Sequence, residues 1–164
     1  MRQNNLYEIS EVTSKNRSRR CVVFLMSNDR RVTAKDKFDK FKRKIELNFR
    51  TRFDAWVDGQ INTKKFHGWN KSEFSGHYTN CFVFKYEENN KQIRLYGFLS
   101  HPKASDRRYE VCVLAVHAFK NQHETHETDL KTIEQLRTLS DIQKIVEDFF
   151  KEKKDGSSLD RTKH

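Results

Sequence analysis

The chain holds little that bends or staples a backbone: of 164 residues one is Pro, five are Gly and three are Cys. Five glycines assemble neither a P-loop nor a dinucleotide fingerprint, which need glycines at fixed spacing so that backbone N–H groups can close on phosphate. There is no serine elbow. Cys21, Cys81 and Cys112 each fall inside an apolar run without paired metal spacing, so buried thiols in a reducing compartment are expected, with no disulfide framework. No run of about 18 apolar residues is present to cross a bilayer. Residues 1–20 lack the apolar stretch of a secretory signal, and together these absences lead to the expectation of a cytoplasmic chain with no membrane partner. His117, His123 and His126 have a loosely metal-like spacing, but no His-Glu-x-x-His motif or Cys pair supports it, so neither metal nor cofactor is expected.

What is present is aromatic and basic. The chain carries 13 Phe, 5 Tyr and 2 Trp within a hydrophobic fraction of only 35%, which concentrates burial in large rings and suits one small core. Its net charge of +10 is uneven: residues 1–65 contain 17 Lys and Arg against 8 Asp and Glu, and the remainder is nearly balanced. An excess gathered at one end is the footprint of a polyanionic partner, because each cation that neutralises a phosphate releases a condensed counterion.

Hydrophobic periodicity places the elements. Leu6 to Val12 alternates as a short strand, and Cys21 to Met26 is a continuous apolar strand; the basic link between them fits either a hairpin or an N-terminal extension. Thr33 followed by Asp36 has the form of a capping box, and Phe38, Phe41, Ile45, Phe49, Phe53 and Trp56 recur at spacings of three and four. That pattern predicts one long helix over Ala34 to Val57. Its opposite face carries Lys35, Lys37, Lys40, Lys42, Arg43, Lys44, Arg50 and Arg52, of which Lys37, Lys40 and Lys44 are candidate phosphate contacts. Gly59 to Gly76 reads as a loop or a broken helix in which Lys64, Lys65, His67 and Lys71 stand beside Trp69, a mixture suited to single-stranded nucleic acid.

Three strands follow, CFVFKY from Cys81, IRLYGFL from Ile93 and YEVCVLAVHAFK ending at Lys120, joined by ENNK at Glu88 to Lys91 and by SHPKASDRR. Val111 to Val116 is apolar on both faces, so the third strand should lie centrally with cover on both sides. Helices are expected at about Asp129 to Leu139 and from Ser140 onward, where Gln143 completes a second capping box. The tail beyond Lys153 has nothing to bury and reads as disordered. The fold class is therefore α+β. A small antiparallel or mixed sheet carries a long N-terminal helix and C-terminal helices, in one domain over residues 1–153 with an extension at 1–19 and a disordered tail at 154–164.

With the standard cofactor chemistries set aside, metal-free phosphodiester cleavage remains open. Cutting RNA with its own 2′-hydroxyl needs a base, a cation for the charge that builds on phosphorus, and an acid for the departing 5′-oxygen. Lys85, Arg94, Tyr96, His117 and Lys120 are side chains on the three strands that could supply these. Arg94 and Tyr96 share a face by alternation, whereas His117 and Lys120 fall on opposite faces unless the strand bends or ends between them.

In order and content these elements resemble the RelE and HigB group of bacterial toxins, in particular its phage-derived HigB-like branch. The resemblance covers roughly Cys21 to Leu139 and rests on FVFKY at Phe82 to Tyr86, IRLYGF at Ile93 to Phe98 and VLAVHAFKN at Val113 to Asn121. Arg94 matches the family's second-strand Arg, and His117, Phe119 and Lys120 match its third-strand signature. Lys85 stands where the family has a first Arg, Asn121 replaces a second Lys, and Tyr96 comes one position early. The resemblance implies a RelE-like fold and a ribosome-associated mRNA endoribonuclease neutralised by a cognate antitoxin. In such a site Arg94 and Lys85 would clamp phosphate, Lys120 or His117 would act as base or acid, and Tyr96 would stack or handle a proton. Lys64, Lys65 and the first helix would grip RNA. Because cations replace carboxylates, a lowered Lys or His pKa would have to supply the base. Two rivals stand beside this reading. One is a non-enzymatic basic nucleic-acid-binding module; the other is a metal-dependent nuclease built on Asp54, Glu73 and Lys71.

Overall fold

A computed structural model describes residues 6–12, 20–59, 66–68, 78–104, 107–120 and 125–162; for residues 67–68, 103–104, 107–108 and 152–162 the description is of the backbone. In chain order the elements are β1 (Tyr7–Glu11), β2 (Arg20–Ser27), α1 (Ala34–Asp39), α2 (Arg43–Val57), β3 (Phe66–Gly68), β4 (Cys81–Glu88), β5 (Lys91–Ser100), β6 (Lys103–Ala104), β7 (Arg107–Arg108), β8 (Glu110–Lys120), α3 (Glu127–Arg137) and α4 (Ser140–Thr162). The fold is α+β, with an open mixed sheet in the order β1-β2-β8-β5-β4-β3, while β6 and β7 form a separate small ribbon. β2 and β8 run parallel; the other neighbours in the sheet are antiparallel.

β8 lies inside the sheet between β2 and β5, as its two-sided apolar run requires, and Val111 to Val116 are all buried. Alternation along the strands sends side chains into two separate cores. Cys21, Val23, Leu25, Val83, Tyr96, Phe98, Val111 and Val113 pack with Leu130, Ile133 and Leu136 of α3 and with Ile142, Val146 and Phe150 of α4. Val22, Phe24, Phe84, Leu95, Cys112 and Leu114 pack on the other face with Phe38, Phe49, Phe53 and Trp56 of α1 and α2. The expected Phe stripe is thus core. Phe53 alone sits within 4.8 Å of Phe84 and 6.0 Å of Phe38, ring centre to ring centre.

The single helix expected over Ala34 to Val57 is instead two. Lys40 ends α1, and Lys42 adopts an extended backbone, ψ 152°, before α2 begins. The ring spacing runs through the break because Phe41, lying in it, still packs against Phe38 and Phe49 at 5.9 and 5.7 Å. Periodicity reports which residues reach the core, and here they do so across a kink.

The capping box at Thr33 is not formed either. Thr33 precedes α1 without a side-chain cap bond. Its hydroxyl accepts from the His117 N–H at 2.9 Å, and its own N–H donates to the Ala115 carbonyl at 2.8 Å. These bonds exist because β8 carries a bulge. Tyr96 pairs with Val116 but Gly97 pairs with Leu114, so Ala115 is left over and its carbonyl turns to Thr33. Gly97 is needed at the same place, since a Cβ there would lie 2.3 Å from the Val113 carbonyl oxygen.

The turn after β4 places Asn89 and Asn90 at φ 51° and 66°, the left-handed pair that a two-residue hairpin demands and that Asn tolerates. Asn80, Tyr78 and the start of β4 are tied in by Leu99 N–H to the Asn80 carbonyl at 2.7 Å. β3 arises within the segment read as a loop, and Phe66 buries its ring on Phe82 and Phe84. The helical backbone of α4 continues through Lys154 to Thr162, where disorder was expected from composition. Among the described residues no helix is long and apolar enough to cross a membrane.

Candidate functional site

The end of β8 divides the candidate residues between the two faces of the sheet. On the face covered by α3, Lys85 and Arg94 stand directly opposite each other on β4 and β5, Tyr96 follows two residues along, and Lys120 stands opposite Gln92. Arg94 has no exposed surface. A guanidinium taken out of water must be hydrogen-bonded on every side it presents. Arg94 Nε and Nη2 donate to Gln92 Oε1 at 2.8 and 2.5 Å, and Nη1 donates to the Tyr96 hydroxyl at 2.9 Å and to Thr125 Oγ1 at 2.8 Å. Gln92 in turn donates from Nε2 to Glu87 at 2.6 Å, so its amide links the buried cation to a carboxylate at the surface.

Burial pushes the Tyr96 phenol up, against the opposing pull of Arg94, and Tyr96 is a protonated hydroxyl at neutral pH. Lys120 Nζ is 2.8 Å from Asp129 Oδ2, in the first turn of α3, and 3.0 Å from His126 Nδ1. An ammonium can only donate, so His126 Nδ1 accepts this bond and carries its ring proton elsewhere. Lys120 therefore fixes the start of α3 over Arg94, its ammonium set against the carboxylates of that helix's acidic first turn.

On the opposite face, toward α1 and α2, stand His117 and Phe119. The His117 ring lies 5.9 Å from Phe41. Burial, and then the nearby Lys37 ammonium, hold its imidazole below the ordinary histidine value, which keeps it neutral at pH 7. Phe119 is 54% exposed, the most exposed large apolar side chain among the described residues. The third-strand signature is thus split by strand alternation: His117 and Phe119 serve one face, Lys120 the other. His117 does not join Arg94.

The proposed RNA contacts separate in a similar way. Lys37 and Lys40 are exposed and have no ion-pair partner among the described residues. Lys44 reaches Glu88 at 3.4 Å. Lys64, Lys65, Trp69, Lys71 and Glu73 lie outside the described residues, and with them most of the suggested metal-nuclease set, although Asp54 is placed, half-buried, on α2. Among the described residues no group of three or more His, Cys, Asp or Glu side chains converges as metal ligands would.

Sequence reasoning missed Gln92, Thr125 and Asp129. Gln92 was within reach, because it is two residues before Arg94 on a strand and hence on its face. Thr125 and Asp129 belong to a different element, and their meeting with Arg94 and Lys120 depends on how α3 docks. No family model, no curated protein and no solved structure matches the chain.

Proposed function

We propose that this protein is a metal-independent endoribonuclease of the RelE and HigB type, a toxin that cleaves mRNA on the ribosome and is held in check by a cognate antitoxin. The observation that carries the reading is the convergence of Lys85, Arg94, Tyr96 and Lys120 on one face of three adjacent strands. The parallel pairing of β2 with β8, which brings the N-terminal strand beside the signature strand, supports it as well. In the reaction the 2′-oxygen bonds to phosphorus while the bond from phosphorus to the 5′-oxygen breaks. The 2′-hydroxyl proton passes to a base, and a proton is delivered to the leaving oxygen. Lys85 and Arg94 neutralise the charge that gathers on phosphorus, and Lys120 with its neighbour His126 handles the protons. His117 has no part in this step.

The test is incubation of end-labelled RNA with the chain in excess EDTA, beside a separate incubation on translating ribosomes in the Mg2+ that keeps them assembled. Cleavage that persists and leaves 2′,3′-cyclic phosphate ends supports the reading, provided that Lys85→Ala and Lys120→Ala fold and lose it. Cleavage abolished by EDTA would favour a metal nuclease. A second reading has one observation in its favour: the Arg94 guanidinium is wholly buried and its bonds are made inside the protein. A non-enzymatic basic RNA-binding module would bind in a salt-dependent manner and leave RNA intact under every condition.

A further inference from the structure

Phe119 stands out as the exposed residue of β8, whose other residues are buried or half-buried. Directly opposite it on β5 is Ile93, and beyond Ile93 on β4 is Tyr86, both packed on the α1–α2 core. Ile93 is thus the apolar cross-strand neighbour of Phe119, while 54% of that residue remains in solvent. The segment that packs beside His117, two residues before Phe119 on the same face, is cationic: Thr33, one turn before Lys37, accepts from the His117 N–H at 2.9 Å, and Phe41, next to Lys42, lies 5.9 Å from the His117 ring. Lys42 and Lys44 act on Glu88, which holds the Tyr86 hydroxyl at 2.9 Å. Lys37 and Lys42 are exposed, without ion-pair partners among the described residues.

We propose that Phe119, with the His117 ring beside it, is a stacking platform for one base of single-stranded RNA whose phosphates lie along Lys37 and Lys42. An aromatic face set among cations is what an unstacked base and its two phosphates require, whereas a duplex offers no free base face. A second copy of this chain is a poorer occupant, since it would bring its own Lys37 and Lys42 against these and place like charges together. Phe119 and Lys120 are consecutive residues on opposite sides of the sheet rim, so a strand passing over Phe119 is led toward the Lys120 face. That delivery rests on the proposed cleavage; the stacking does not.

The experiment measures fluorescence anisotropy of a short labelled oligouridylate across a salt series. Phe119→Ala is expected to weaken binding about 5- to 150-fold with the salt slope unchanged, because a stacked ring is lost and no charge. Phe119→Trp should retain affinity. Lys37→Gln with Lys42→Gln should flatten the log–log salt slope by about 1.4. Duplex RNA of matching sequence should be insensitive to Phe119→Ala. Wild-type affinity in folded Phe119→Ala overturns the proposal, as does a loss confined to self-association in sedimentation. Stacking that holds in a chain that cuts no RNA removes the nuclease reading alone; cutting that persists while Phe119→Ala binds normally removes the platform alone.

Discussion

Replacing Arg94 by Met tests whether the buried guanidinium holds α3 against the sheet. The substitution keeps most of the side-chain length but removes every donor. Gln92 Oε1, itself on a residue only 2% exposed, then loses two guanidinium N–H groups, while the Tyr96 and Thr125 hydroxyls lose one each. Leaving a buried acceptor unsatisfied costs about 1–3 kcal/mol. Two hydroxyls that can re-pair only in part bring the expected total to roughly 2–5 kcal/mol, reduced by the easier burial of an apolar side chain. At about 2–4 °C per kcal/mol for a domain of this size, Tm should fall by about 4–20 °C. The loss should be local as well as global, because the Arg94–Thr125 bond ties β5 to the entry of α3. Hydrogen exchange is therefore expected to quicken over Leu130 to Leu136 more than over Phe49 to Trp56. A variant with Tm within about 2 °C of the parent and unchanged exchange in α3 would refute the argument.

Gly97→Ala should be among the most damaging single changes, costing about 3 kcal/mol or more, because the new Cβ meets backbone at 2.3 Å and cannot be accommodated by a rotamer; denaturant titration checks it, and a shift under 1 kcal/mol would show that the bulge can move. Thr33→Ala should cost about 1–3 kcal/mol by stranding the His117 N–H, with Thr33→Ser restoring most of it in the same titration. Stability should fall through the alkaline range. Burial raises Cys81 to about 12, and burial with Glu127 raises Tyr78 to about 12; both groups keep their protons in the folded chain where the unfolded chain gives them up. Their contribution is complete below the unfolded values and is lost as pH rises from about 9 to about 12, so Cys81→Ala should move the onset of alkaline unfolding upward in a circular dichroism titration. Native Cys21, Cys81 and Cys112, all without exposed surface, should resist maleimide at pH 8 and react fully in denaturant.

The strands were legible because each is a run whose burial demands are visible one residue at a time. CVVFLM, CFVFKY and YEVCVLAV all appear where apolar continuity places them, and the central position of β8 follows from Val111 to Val116 being apolar on both sides. The break at Lys40 to Lys42 was not legible, since Phe41 keeps the spacing through it, and no Gly or Pro marks the kink. Thr33 shows a second kind of limit. Its sequence context is that of a helix cap, but a bulge in a strand some eighty residues later presents an N–H and a carbonyl that compete for the same groups. Within the candidate site, alternation correctly separated His117 from Lys120 and joined Arg94 to Tyr96. What alternation could not convey is depth: Arg94 is buried because α3 crosses it, and of the residues that bring α3 there, Thr125 sits in a polar stretch with no periodicity and Asp129 at the polar start of the expected helix.

The parallel contact between β2 and β8 also fixes an order of events. Arg20 pairs with Glu110 across 90 residues, and β8 is the only strand that β2 and β5 have in common. Until β8 emerges from synthesis, the chain can hold only two fragments of sheet, β1 with β2 and β3 with β4 and β5, each with an open edge. Loop-closure entropy must be met before that late strand returns any contact, which makes its insertion a natural slow step. The strand that carries His117, Phe119 and Lys120 is thus also the one that completes the fold, so a nascent chain can complete neither face of the candidate site before its sheet is whole.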